Sequence, residues 1–149
     1  MAKFIQAVLS GFLIMLVYDY FFFIGLHLHY IKKLGIDVFF NPFFVDNQNI
    51  FLFILGIAVF GILVMFVKSK VKYFVLGFFF ILSLSSLIPS VGYNIGEAIF
   101  MQKNVTLHNK KFSFVGDIYY IGRDKITFYD KELKKVIQLQ KNEIKEELE

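Results

Sequence analysis

Two long apolar runs, residues 50–67 and 73–87, flank the pentapeptide Lys-Ser-Lys-Val-Lys at 68–72, and nothing else in the chain limits its fold as tightly. A bilayer core about 30 Å thick takes roughly 20 apolar residues of α-helix, and about 17 at the short end. Residues 50–67 carry no charge and reach that length. The second run passes through Ser83, Ser85 and Ser86 to Pro89; serines at that depth bond within their own helix or to a neighbour. A lysine at a helix centre costs about 3 kcal/mol in a bilayer, so the lysine loop belongs in water or among headgroups. The stretch predicts a membrane hairpin.

Hydrophobic residues make up 57% of the 149, which with these runs points to an integral membrane protein instead of one soluble domain. Phenylalanine occurs 21 times and tryptophan never, a bias expected of an AT-rich bacterial genome, so single phenylalanines carry little functional weight at this level. The net charge of +4 comes from scattered lysines, which speaks against a nucleic-acid partner. The absence of cysteine excludes disulfides, thiolate metal sites and a cysteine nucleophile.

In chain order, residues 4–26 form a first apolar run interrupted only by Asp19. It is longer than a signal-peptide core and lacks a cleavage site, so a retained span is expected. Ala7 and Gly11 make a small-xxx-small pair suited to close helix approach. Residues 27–49 hold His27, His29, Lys32, Lys33, Asp37 and the break Asn41-Pro42. They read as an interfacial loop or half-helix whose Phe39, Phe40, Phe43 and Phe44 dip into the headgroup boundary, or as a cover for the bundle end. Residues 73–101 read as a third span kinked near Pro89, with a GxxxG pair at Gly92 and Gly96.

From residue 104 the hydrophobic period drops to two, with turn formers near Asn109-Lys110, at 122–124 and at 130–132. This predicts a small C-terminal antiparallel β segment of about four or five strands over 104–149, closed by a short helix. The expected fold is thus an α-helical integral membrane protein: three transmembrane helices over 1–103, then an extramembrane β domain. So small a β core rarely supplies more than about 3–5 kcal/mol; it must lean on the membrane, its own helices, another copy or a different protein.

Lys3, Lys68, Lys70 and Lys72 narrowly favour a cytoplasmic N-terminus and an extracytoplasmic β segment in a bacterial inner membrane. Asp19, His27 and Glu97 are the intramembrane polar candidates; a proton or cation relay would run through them. On one helix Asp19 and His27 would lie about 12 Å apart, too far for a direct bond. The blander alternative is a neutral Asp19 bonded to a Ser or Tyr of a neighbouring helix. His27 and His29, with Asp37, are weak metal-ligand candidates. Arg123 next to Asp124 reads as a turn-borne ion pair. No catalytic motif is found and no cofactor is implied. The expected role is a non-enzymatic subunit or accessory of a larger membrane assembly, partnered by the lipid bilayer and by a second copy or another membrane protein. Ion translocation through Asp19 and metal binding are the alternatives.

Overall fold

The computed structural model describes residues 1–109 and 113–147. Helix α1 (Ala2–Leu26) runs unbroken into a π-helical turn, His27–Ile31. Helices α2 (Phe40–Asn47), α3 (Ile50–Phe66), α4 (Ser69–Ser85) and α5 (Pro89–Phe100) follow. Strands β1 (Gln102–Asn109), β2 (Ser113–Ile121), β3 (Lys125–Asp130), β4 (Lys135–Gln140) and β5 (Ile144–Glu147) make one antiparallel sheet in the order β4-β3-β2-β1-β5.

The expectation of three transmembrane helices is corrected. Among the described residues one helix, Ala2–Ile31, is long and apolar enough by itself to cross a membrane, with a mean hydropathy of 2.0 in its best window. Of the other two expected spans, 50–67 does form one helix, α3, but its 17 residues fall short of a crossing by themselves and it meets α2 at 81°; 73–101 breaks into α4 and α5, which meet at 84°. At the second break Ile88 is extended, as a residue before proline prefers, and Pro89 opens α5 where its missing N–H costs nothing. The Ser86 hydroxyl bonds the carbonyls of Ser83 and, across to α1, Phe21. The 73–101 segment is therefore two helices at nearly a right angle. At the first break Asn49 caps α3, its side-chain oxygen accepting from the backbone N–H of Phe51 and Leu52.

Helix α3 returns antiparallel to α1. A Cβ on Gly11 would overlap the Ile57 carbonyl oxygen, and one on Gly61 would lie 2.5 Å from the Ala7 carbonyl oxygen. Ala7 and Gly11 thus meet α3 backbone to backbone. Helix α4 runs up the other side of α1: the Tyr18 hydroxyl donates to Leu76 O at 2.7 Å, and the Ser83 hydroxyl donates to Tyr18 O. The outer faces of α1, α3 and α4 remain apolar, with Phe4, Leu9, Phe51, Phe66, Phe74 and Ile81 all exposed.

At the other end α2, α5 and the π-helical turn form a cap, and the sheet sits on it. One core joins Phe23, Leu26, Tyr30, Ile31, Ile36 and Phe43 of the helical part to Tyr120 of β2. A second, made only of strand residues, holds Val105, Leu107, Ile118, Ile126 and Phe128. A single strand feeds both because of a bulge. Ile118 pairs with Phe128 but Tyr120 with Thr127, so the extra residue Tyr119 turns Tyr120 to the face opposite Ile118. Tyr30 then donates to Tyr119 O at 2.8 Å, and Asn47 donates to the Tyr120 hydroxyl at 3.0 Å.

Three further expectations change. Of the two readings of 27–49, the cover for the bundle end holds at Phe43, which is fully buried because α2 folds back over α1, and the dip into headgroups does not hold there. Arg123 grips Asp46 of α2, at 2.5–2.9 Å through Nε and Nη2, instead of its neighbour Asp124. The short C-terminal helix is replaced by a 3-10 turn (Lys141–Glu143) and strand β5, whose backbone pairs with β1; an unpaired edge on β1 outcompetes weak helix propensity. Residues 148–149, the end of that expected helix, and 110–112, part of the expected turn, lie outside the described residues.

Burial raises the pKa of Tyr120 from its ordinary 10.0, and the Asn47 hydrogen bond opposes that shift only in part. A raised folded-state pKa contributes stability that is present below the unfolded value and lost as pH climbs through the folded one. Stability is therefore expected to fall as pH rises from about 10. In Tyr120→Phe that contribution is absent, and equilibrium unfolding across the alkaline range should show a flatter slope; an unchanged slope would contradict the burial of this hydroxyl.

Candidate functional site

A cavity of about 530 Å³ lies between α3 and α4. Both helices pack on α1, which forms the back wall, and they meet each other where the Phe60 and Phe79 rings stand edge-on at 5.5 Å. Met15, Tyr18, Asp19 and Phe22 come from α1, Leu52 to Phe60 from α3, Phe79 to Ser85 from α4, and Ile95 of α5 closes the end nearest the sheet. The walls are apolar, and the polar groups gather toward that same end.

Asp19 is the only carboxylic acid among the described residues on these walls, and no lysine, arginine or histidine joins it there. It sits level with the start of α3, since Gln48, just before the α3 cap, donates to its Oδ2 at 2.7 Å. The exposed apolar residues of α1 run from Phe4 to Tyr20, with Leu28 of the π-helical turn beyond them, so Asp19 lies toward the sheet end of the apolar belt. The Tyr18 hydroxyl is committed to Leu76 O, Ser83 to Tyr18 O and Ser85 to Leu82 O. The other carboxylate oxygen of Asp19 has no donor, and no lysine, arginine or histidine pairs with it, among the described residues.

Asp19, His27 and Glu97 are not brought together. The His27 ring bonds Val38 O at 2.8 Å, fastening the chain after the π-helical turn, and Glu97 takes Lys103 at 2.6 Å. That hydrogen bond and the Glu97 charge raise the Lys103 pKa. His29 bonds Leu87 O at 2.9 Å, in a different segment from the partner of His27. No group of three or more metal-ligating side chains exists among the described residues, so Asp37 does not complete a set with His27 and His29. Gly92 and Gly96 serve packing: a Cβ on Gly92 would overlap Ser86 O, and one on Gly96 would lie 2.5 Å from the Tyr30 ring.

A smaller cleft of about 310 Å³ lies between α2 and the sheet. Its Asp46 is spent on Arg123, which in turn raises the arginine's pKa. Gln48, Asn47, Tyr30 and Tyr120 were not marked by sequence reasoning. For Gln48 a signal existed, an amide placed just before an apolar run and therefore obliged to find a partner at its edge; for Tyr120 there was none.

Comparison of the chain with protein-family models, with curated proteins and with solved structures finds no match.

Proposed function

We propose that the chain is a small integral membrane protein that works as a non-enzymatic accessory subunit of a larger membrane assembly, with the sheet as its docking part. The observation that carries this reading is the mounting of the sheet. Tyr120 lies in the helical core, Tyr30 bonds β2, and Arg123 clasps Asp46 on α2. A domain so fixed presents its surface in one pose, which lowers the ordering cost of binding. The size of the sheet no longer demands a partner, since its own helices support it; what favours one is the surface on offer. Strand β4 has β3 on one side and no described strand on the other; Val136 on that strand and Leu133 in the turn before it are exposed, as is Val115 on the inner strand β2. An open strand edge with apolar side chains suits strand addition by another chain.

The outer apolar faces of α1, α3 and α4 support insertion in a bilayer, because soluble monomers rarely expose so much contiguous apolar surface. In this reading α1 crosses, and α3 and α4 pack beside it. Lys3, Lys68, Lys70 and Lys72 gather at the end away from the sheet, where no Asp or Glu accompanies them. That arrangement favours a bacterial inner membrane with those lysines in the cytoplasm and the sheet outside. Ion translocation gains no support from the geometry: Asp19 is tied to Gln48 and His27 to Val38, with no hydrogen bond between the two among the described residues. Metal binding gains none either.

A photoreactive residue placed at Val136 and activated in intact membranes tests the reading. A discrete adduct with one protein species is expected there, whether a second copy or another membrane protein, and only lipid adducts from the same probe at Phe74. No protein adduct from Val136, Leu133 or Val115, together with a single-chain species on native electrophoresis, would sink it.

A further inference from the structure

The groove between α3 and α4 has a polar end and an apolar length, and its one carboxyl group is half used. Gln48 occupies Oδ2 of Asp19, while every hydroxyl nearby on the wall has its hydrogen committed elsewhere. What is left over is an acceptor. An occupant that suits the site therefore brings a donor to the level of Asp19 and an apolar chain to Leu52, Leu55, Val59, Phe79 and Leu82. The volume of about 530 Å³ falls in the range of ligand pockets, roughly 300–1,000 Å³. It is too small for a whole helix, whose diameter with side chains is about 10–12 Å.

We propose that this groove is a binding site for one amphiphile with an ammonium or amine head, held by Asp19 with its chain lying between α3 and α4. Charge complementarity selects the head: a carboxylate in an apolar wall is stabilised by a cation that also donates a hydrogen bond. Depth selects the chain. Asp19 stands toward the sheet end of the exposed apolar belt, the end nearer the headgroups in the proposed orientation, and the apolar wall continues from there along α3 and α4. An anionic head is disfavoured by the same carboxylate, and a quaternary ammonium brings charge without a donor. The chemistry is shared by a bilayer aminolipid and by a free long-chain amine.

The test is native mass spectrometry of the full chain released from nanodiscs of phosphatidylethanolamine, phosphatidylcholine or phosphatidylglycerol, with dodecylamine as competitor and dodecanol as its uncharged control. One bound phosphatidylethanolamine, favoured about tenfold over phosphatidylcholine and displaced by dodecylamine but not dodecanol, is the expected result for a lipid source. Binding of dodecylamine alone, again absent for dodecanol, supports the same site with a free amphiphile as its occupant. Asp19→Asn keeps the shape and the Gln48 contact and should abolish the preference. Val59→Phe, on the exposed face of α3, should block occupancy while leaving Asp19 intact, and retention of monodisperse elution by both variants shows that they fold. Equal binding of all lipids, a preference that survives Asp19→Asn, or a photoprobe at Val59 that attaches to protein instead of lipid overturns the proposal. The last outcome would leave the docking role of the sheet standing, since Val59 and β4 are probed separately.

Discussion

Phe43→Ala is expected to destabilise the fold by about 3–5 kcal/mol, the usual cost of deleting a fully buried aromatic ring. The ring has no exposed surface and touches Phe23, Phe100, His27 and Tyr120 edge-on or tilted, with centroids 5.5–6.0 Å apart. It is where α2, the end of α1, the end of α5 and the sheet meet. Its loss should therefore loosen the sheet from the helices as well as weaken the whole. Equilibrium unfolding in mixed micelles gives the first effect. Hydrogen exchange at Tyr119 and Tyr120 amides gives the second, with protection falling there before it falls in α1 and α3. A change below about 1 kcal/mol would mean that α2 does not cap the bundle as described.

Gly11→Leu should cost about 3 kcal/mol, at the upper end of overpacking effects. A side chain at Gly11 meets main chain on α3: the carbonyl of Ile57 and, at 2.9 Å, the amide nitrogen of Gly61. Neither can rotate away, so the two helices must separate. The same substitution at Gly77, where an added Cβ meets nothing within 4 Å, is expected to be neutral or mildly stabilising because it removes a flexible helix glycine. Thermal unfolding of both variants, measured side by side, checks the contrast; equal effects would contradict the close crossing of α1 and α3.

Some of this was legible from residue order. The two-residue period after position 104 marks strands because alternation survives any modest error of register, and small residues at 7, 11, 92 and 96 mark close crossings because only bulk forbids them. Bends were harder. Hydropathy continues through Ser83, Ser85 and Ser86, so averaging over a window hides the place where Ser86 pulls its backbone toward α1 and the chain turns. Phe43 was discounted as one phenylalanine among 21, and nothing local separates it from Phe39, which is 82% exposed. Tyr120 depended on a one-residue bulge that only pairing with β3 reveals. Arg123 found Asp46, 77 positions away, in preference to its neighbour, as sheet and helix must dock before the two can meet.

The site followed the same division. Asp19 stood out as a lone acid in an apolar run, but its depth could not be read without knowing where α3 begins. Placed beside Gln48 it falls toward the sheet end of the apolar belt, and the relay with His27 and Glu97 dissolved into three separate local bonds.

The account stands or falls on whether α1 crosses a bilayer with its N-terminal end on one side and the sheet on the other. The chain has no cysteine, so single cysteines can be introduced at Lys3, Leu13 and Lys135 and probed in sealed right-side-out vesicles with a membrane-impermeant maleimide. Labelling of Lys135→Cys without permeabilisation, of Lys3→Cys only after it, and of Leu13→Cys in neither case is the expected pattern. Labelling of Lys3→Cys and Lys135→Cys from the same side, or ready labelling of Leu13→Cys, would contradict it.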